Sequence, residues 1–321
     1  MPVQGRGGGG GAPGWLRARR WCLLGLAAAL TSLALPLLTP WWLGFDVFSQ
    51  FTVQFAIAAM ACAVGLLLPR HRLKIVLALM LAGLAGVGIY ARLHAAPGAP
   101  PPADGAIRVM SFNTWAGNED LQAIRAEVLR QRPDIVGMME FVPPKKNLRG
   151  LLRAQYPHAA DCNDLPHCYL AFFSRWPVQK VKARSLWEGP PYLHVKVQAP
   201  GGAVHVFVVH TLRFPWLGSQ LKQVKAMRRV IRRVKGPVIV IGDFNSTPFS
   251  VMHRALLRDT QLKRLTFLPS WPSWMAGLPQ IAIDHIFVSP HWRLARGPFI
   301  GAAAGSDHYP VIVDLHRLAT P

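Results

Sequence analysis

Three apolar runs within the first hundred residues constrain this chain more than any other feature. Residues 21–38, 51–68 and 73–90 are each about as long as a helix must be to cross a bilayer core, and only short polar or aromatic segments separate them. Buried helices of a globular core can be equally apolar, and Pro36, Gln50 and Gln54 interrupt the pattern. Three runs in close succession favour membrane spans over that alternative. A cleaved signal peptide accounts for the first run but not for the next two. Arg19-Arg20 ahead of an apolar stretch resembles a twin-arginine export signal, and the later spans argue against it.

Composition agrees. Hydrophobic residues make up 51% of the chain and charged residues 16%, against roughly 25% charged in an average soluble protein. This excludes a disordered chain and disfavours a wholly soluble one. Flanking charge sets the orientation. Arg6, Arg17, Arg19 and Arg20 precede the first span, and Arg70, Arg72 and Lys74 lie between the second and third. The segment between the first two spans carries Asp46 and no basic residue, with Trp41 and Trp42 suited to a membrane interface. The N-terminus is then cytoplasmic and everything after the third span extracytoplasmic, with Arg92 the one basic residue on the wrong side. The expected organisation is a disordered basic tail (1–20), a three-helix membrane anchor (21–94), a Pro/Gly/Ala linker (95–106) and a catalytic domain (107–321). For a double-membrane cell this is a multi-pass inner-membrane protein with a periplasmic domain.

The net charge is +21, and the soluble part contributes +15 of it, from 28 Lys and Arg against 13 Asp and Glu. Such an excess suits a polyanionic partner: nucleic acid, anionic lipid or envelope polymer. Much of it lies in a predicted helix, with Lys222, Lys225, Arg228, Arg229, Arg232, Arg233 and Lys235 in residues 222–235, where a solvated outer face is the plainer reading. Trp271, Trp274 and Trp292 could stack on bases or enter lipid, though such residues more often pack as core. Cys22 and Cys62 fall in predicted spans. Cys162 and Cys168 share one short loop, and outside the cytoplasm a disulfide between them is expected.

Residues 107–321 read as eight apolar strands with few helices between them: 107–113, 134–140, 169–173, 192–197, 203–210, 238–241, 281–288 and 309–315. Helices are predicted from Asn118, closed by Pro133, and over 219–234. The pattern suits packed sheets of the α+β class. Several strands end in chemistry: Asn113, Glu140, His210 and Asp243/Asn245 each follow an apolar run, Asp284 lies inside another, and Asp307-His308 opens the last. Each residue alone is an ordinary cap or turn former. Together they meet the needs of phosphoester hydrolysis, in which hard oxygen ligands hold Mg²⁺ and a carboxylate-oriented His acts as base or phosphate clamp. No His-Glu-x-x-His or Gly-x-Ser-x-Gly motif supports a zinc or serine hydrolase.

The segments Ser-Phe-Asn113-Thr-Trp, Pro-Asp-Ile-Val-Gly-Met-Met-Glu140, Phe-Phe-Ser-Arg175-Trp-Pro, Val-Val-His210-Thr-Leu, Ile-Gly-Asp243-Phe-Asn245-Ser-Thr-Pro, Ile-Asp284-His-Ile-Phe and Gly-Ser-Asp307-His308-Tyr-Pro resemble the endonuclease/exonuclease/phosphatase superfamily, in that family's order. The resemblance covers about residues 107–316. It implies a four-layer αββα sandwich of the α+β class with the site at the sheet ends, which here follows the three transmembrane helices read from the apolar runs. It further implies Mg²⁺, with Mn²⁺ as a substitute, held by Glu140, Asn113 and Asp307. His308 paired with Asp284 would act on water or phosphate. Asp243 and Asn245 would orient nucleophile and phosphoryl oxygens, and His210 would contact phosphate or leaving group. Whether His308 or Asp243 takes the proton stays open. Two departures stand out, Met139 where many members carry Gln and Ala282 where an Arg is frequent. The leading reading is a membrane-anchored phosphodiesterase acting on extracytoplasmic nucleic acid. The alternative is a hydrolase of lipid headgroups or small phosphoesters. An inactive, membrane-tethered binding module is disfavoured by the retained Glu140, Asp243, Asn245, Asp284 and His308. No protein partner is inferable.

Overall fold

A computed structural model describes residues 14–68, 72–95, 104–185 and 189–318. Most of the expected linker therefore lies outside the described residues. Three helical stretches among them are long and apolar enough to cross a membrane: Gly14–Leu38, Leu43–Leu67 and Arg72–Leu93. They comprise helix α1 (Gly14–Ala34) with a 3-10 extension to Leu38, a 3-10 segment over Leu43–Phe51 leading into α2 (Thr52–Leu67), and α3 (Arg72–Leu93). Their outward faces carry bare apolar side chains such as Trp21, Leu24, Leu30, Met60 and Leu81. Water would penalise that surface, whereas lipid accommodates it. The expected tail gives up its last residues, since Gly14 to Arg20 already belong to α1.

Two six-stranded mixed sheets follow. One runs β11-β12-β1-β2-β4-β3 and the other β5-β6-β7-β8-β10-β9. Their strands are β1 (Ile107–Asn113), β2 (Ile135–Met139), β3 (His158–Asp161), β4 (Leu170–Ser174), β5 (Val178–Arg184), β6 (Tyr192–Ala199), β7 (Gly202–His210), β8 (Val238–Asp243), β9 (Lys263–Arg264), β10 (Asp284–Val288), β11 (Trp292–Ile300) and β12 (Val311–Arg317). The sheets face each other across a core containing Val109, Ile135, Phe172, Leu193, Val206, Ile239, Ile286 and Val313. Gly137 of β2 makes close approach possible, because a Cβ there would collide with Ile241 of the facing sheet. Met139 is buried in this apolar layer.

Helices cover both outer faces and complete the four layers. Helix α4 (Leu121–Gln131) and α5 (Leu148–Leu152) lie on the first sheet, and α6 (Leu217–Ile231) and α7 (Val251–Leu257) on the second. Asp120, rather than Asn118, is the N-cap of α4, and its side chain accepts a hydrogen bond from Ala123 N at 2.8 Å. Ile124 and Val128 turn into the core, each worth about 1.5–3 kcal/mol of burial. Arg132 ends the helix in the left-handed region (φ 49°) just before Pro133. Cys162 and Cys168 form the expected disulfide. Trp292 is core, Trp274 is exposed, and Trp271 has a polar partner in the site.

Candidate active site

All the expected site residues arrive at one end of the paired sheets. Parallel pairing of β1 with β2 and of β7 with β8 brings the C-terminal ends of these strands together, carrying Asn113, Glu140, His210 and Asp243. Antiparallel pairing sets the first residue of β10, Asp284, directly beside Asp243. β12 is antiparallel to β1, so Asp307 and His308, just before its start, reach the same end. Two local features sharpen the strand ends. Glu140 and Asn245 adopt left-handed backbone (φ 54° and 45°), which non-glycine residues hold only where the surroundings enforce it. Gly242 lets β8 lie close against β7 just before Asp243, because a Cβ would strike the Val209 carbonyl.

The centre is a chain of hydrogen bonds. Ser270 Oγ donates to Asp284 Oδ2 at 2.6 Å, and the same oxygen meets His308 Nδ1 at 2.8 Å. This bond leaves His308 Nε2 facing Asp243 Oδ2 at 3.7 Å and Asp307 Oδ1 at 3.9 Å. Asn113 Nδ2 donates to Glu140 Oε1 (3.1 Å) and Asp243 Oδ2 (3.0 Å), while its own oxygen accepts from Trp115 N. Asn113 therefore binds the carboxylates together and turns its amide nitrogen toward them. His210 Nε2 lies 3.6 Å from Asp243 Oδ2 and 4.0 Å from Glu140 Oε1. Asn245 N donates to Asp243 Oδ1 at 2.7 Å, and its side chain braces Thr211 O at 3.0 Å.

The electrostatics follow from burial. Burial disfavours charge on His308, yet Asp284 and then Asp243 outweigh it and raise the imidazole to about 10. Burial pushes Asp243 above its ordinary value, opposed by His308 and reinforced by Asp284. Glu140 is held below its usual range, because the neighbouring His210, Ala116 N–H and Asn113 together overcome the effect of its burial.

The donor set fits a hard divalent cation. The Glu140 side chain is a quarter exposed, and Asp307 Oδ1 and Asp284 Oδ1 are buried without a hydrogen-bond partner among the described residues. Asp243, Asp284 and His308 also converge within 4.8 Å. However, Asp284 and His308 are already bonded to each other, which favours Glu140 and Asp307 as ligands.

Some participants are not among the expected site residues. Lys145 is buried, and its Nζ donates to Trp115 O (2.5 Å) and Glu140 O (3.1 Å). Burial lowers it to about 8, partly offset by Glu140. Ser306 Oγ donates to Asn113 O at 2.7 Å and accepts from His308 N, and Trp271 Nε1 donates to Asp307 Oδ2 at 3.2 Å. These are common residue types, and their contacts with Trp115, Asn113 and Asp307 join residues distant in sequence.

A family model described as the endonuclease/exonuclease/phosphatase family matches residues 110–308, well over half of the chain. This chain belongs to the endonuclease/exonuclease/phosphatase family. The family's enzymes are metal-dependent phosphoester hydrolases, and every site residue named above lies within the match. Solved structures share the fold. An endonuclease/exonuclease/phosphatase from Beutenbergia cavernae is 23% identical, covering 67% of this chain and 72% of its own (TM-score 0.51). A family protein from Bacteroides thetaiotaomicron is 18% identical, covering 68% and 100% (TM-score 0.53). A beta toxin variant of Staphylococcus aureus with bound magnesium ions is 14% identical, covering 66% and 100% (TM-score 0.51). A curated relative, a UPF0294 protein of Vibrio parahaemolyticus, is 28% identical over 152 residues, or 43% of this chain and 51% of the relative. The match thus spans about half the length of that relative.

Proposed function

We propose that this chain is a membrane-anchored, metal-dependent phosphodiesterase, with its catalytic domain on the opposite side of the membrane from the N-terminus. The observation that carries the reading is the dyad of Asp284 and His308, set among Asn113, Glu140, Asp243 and Asp307 at the sheet ends.

Glu140, braced by Asn113, and Asp307, braced by Trp271, would hold Mg²⁺ or Mn²⁺. When bound, the ion supplies positive charge that offsets the phosphoryl oxygens and the leaving alkoxide. The rest falls to the chain's own groups. Asp284 fixes His308 with Nδ1 protonated and Nε2 aimed into the cleft. Held charged, His308 Nε2–H binds a non-bridging phosphoryl oxygen. Asp243, made more basic by burial, takes the proton of the attacking water, and Asn245 N–H holds its other oxygen in place. His210, at the cleft edge, contacts the phosphate or the departing group.

The basic helix gives the nuclease reading little support. Helix α6 starts at the site end, where Gln220 bonds Phe244 O, and runs away from it, carrying its exposed Lys222, Lys225, Arg229 and Arg232 outward. The test is hydrolysis of bis(p-nitrophenyl) phosphate by the full chain in detergent with Mg²⁺ or Mn²⁺. Release of nitrophenolate that EDTA and His308→Ala both abolish is expected. Turnover that survives either would sink the proposal.

A further inference from the structure

Three of the loops that carry site residues are fastened to the membrane anchor. In the loop after Asn245, Thr247 N and Oγ1 donate to Gln50 Oε1 and Ser49 O, both at 2.8 Å. Ser250 Oγ and Val251 N donate to the fully buried Asp46 carboxyl at 2.5 and 2.8 Å. In the loop before Asp284, Gln280 Nε2 donates to Leu84 O of α3 (3.1 Å), and Gln54 Nε2 of α2 donates to Gln280 O (3.0 Å). Beside His308, Tyr309 packs with the fully buried Ala91 of α3, and the Arg92 guanidinium lies 5.2 Å from its ring centre.

These contacts fix where the cleft stands relative to lipid. Leu84 lies about nine residues before the end of α3 at Leu93, which is about 13 Å along the helix. Gly88, between them, packs so closely on Leu278 that a Cβ would come within 2.5 Å of the Leu278 Cβ. Residues 278–280 therefore sit alongside the apolar part of α3 rather than above it. The same loop reaches the site. Gln280 N donates to Trp271 O at 2.9 Å, and the Trp271 indole donates to Asp307. Two residues thus join a site carboxylate to two membrane-spanning helices.

The rim matches that placement. Trp115 follows Asn113, Phe214 and Trp216 follow His210, Phe249 follows Asn245, and Trp274 and Met275 precede Asp284, and all six are exposed. Large apolar and amphipathic side chains are costly in water and favoured at a bilayer surface. Arg213 stands among them as a counter-charge for an anionic headgroup. A polynucleotide backbone would instead call for cations at this rim, and those of α6 lead away from it.

Resting on the phosphodiesterase reading above, we infer that the substrate is a membrane lipid: the enzyme hydrolyses phosphodiester headgroups presented by the leaflet at the catalytic-domain end of its own anchor. A water oxygen bonds to phosphorus as the bond from phosphorus to one alcohol oxygen breaks. One water proton ends on the departing alcohol, and the other stays with the new phosphoryl oxygen. The Asp46, Gln54 and Gln280 contacts hold the cleft against the headgroup layer, so no lipid has to leave the bilayer fully.

The test reconstitutes the full chain in vesicles of phosphatidylethanolamine, phosphatidylglycerol, phosphatidylcholine and sphingomyelin with Mg²⁺ or Mn²⁺. Lipid products are followed by mass spectrometry, with bis(p-nitrophenyl) phosphate and supercoiled plasmid assayed in parallel. Lipid hydrolysis that requires His308 is expected. The paired substitutions Phe249→Ser and Trp274→Ser should lower the ratio of lipid rate to soluble-diester rate about tenfold, the diester rate serving as the check on folding. Diester hydrolysis with every lipid intact overturns the lipid assignment and spares the phosphodiesterase reading. Plasmid cleavage faster than lipid cleavage, or an equal loss on both substrates in the paired variant, also overturns it. No hydrolysis of any substrate removes the underlying reading as well.

Discussion

Replacing Asp284 by Asn tests the centre of the site with almost no change in shape. In the wild type the carboxylate accepts from both Ser270 Oγ and His308 Nδ1 and is 1% exposed. His308 is raised to about 10, so its charge, and the stability that charge contributes, is fully present below about 6.5 and lost as pH climbs through about 10. That rise corresponds to about 5 kcal/mol favouring the charged form, at 1.36 kcal/mol for each tenfold change. An Asn amide carries no charge and can present N–H₂ to Nδ1, which selects the wrong tautomer. Burial, no longer offset by Asp284, then works to discharge the ring. One charge-assisted hydrogen bond is worth about 1.5–3 kcal/mol, and loss of the tautomer in comparable triads costs about 10⁴ in rate, so kcat should fall by about 10²–10⁴. The assay is diester turnover from pH 5 to 10 with saturating metal, alongside melting in detergent. Activity in the variant should decline with rising pH well below the wild-type limit. A rate within about threefold of wild type, with the same pH profile, would refute the reasoning.

Three further outcomes are expected. Asp314→Ala strands Arg108, whose guanidinium is 1% exposed and bonded to both Asp314 oxygens, and should cost about 3–5 kcal/mol in chemical denaturation. Pairing it with Arg108→Met should recover much of that loss, and no recovery would show that the cost is not the stranded charge. Asp46→Ala removes the partner of Ser250 Oγ and Val251 N and should cost about 2–4 kcal/mol of stability in detergent, with increased proteolysis of residues 245–251, whereas unchanged melting would deny the segment before α2 its bracing role. Thiol labelling of the denatured chain should gain two sites on reduction, Cys162 and Cys168, beyond the free Cys22 and Cys62; four labelled thiols before reduction would exclude the disulfide.

The eight strands predicted from apolar runs are β1, β2, β4, β6, β7, β8, β10 and β12, all interior to the two sheets. The four missed are β3, β5, β9 and β11, and each is a sheet edge. An interior strand is covered on both faces and is buried along its length, as β1 and β8 are, so most of its residues are apolar. An edge strand meets water and carries charge that blocks further pairing, as Lys180, Lys182 and Arg184 do in β5, so its sequence looks like loop. The site residues were legible for a related reason. Carboxylates and imidazoles at the tips of apolar strands are conspicuous where only apolar residues are needed.

The sequence by itself determined the three long apolar helices, the interior strands, the family and the set of groups that meet at the sheet ends, because each rests on local pattern or motif. Only the tertiary structure decided how those groups are joined. It turned the Asn113 amide toward the carboxylates, brought Lys145, Ser270, Ser306 and Trp271 into the site, and directed the cations of α6 away from it. It also made Asp46, in sequence only a marker of topology, the buried clamp of the loop after Asn245, some 200 residues onward. Such pairings link residues far apart along the chain. They exist only once the sheets have set the loops side by side and the N-terminal helices have closed against them, and no periodicity or spacing in the sequence encodes them.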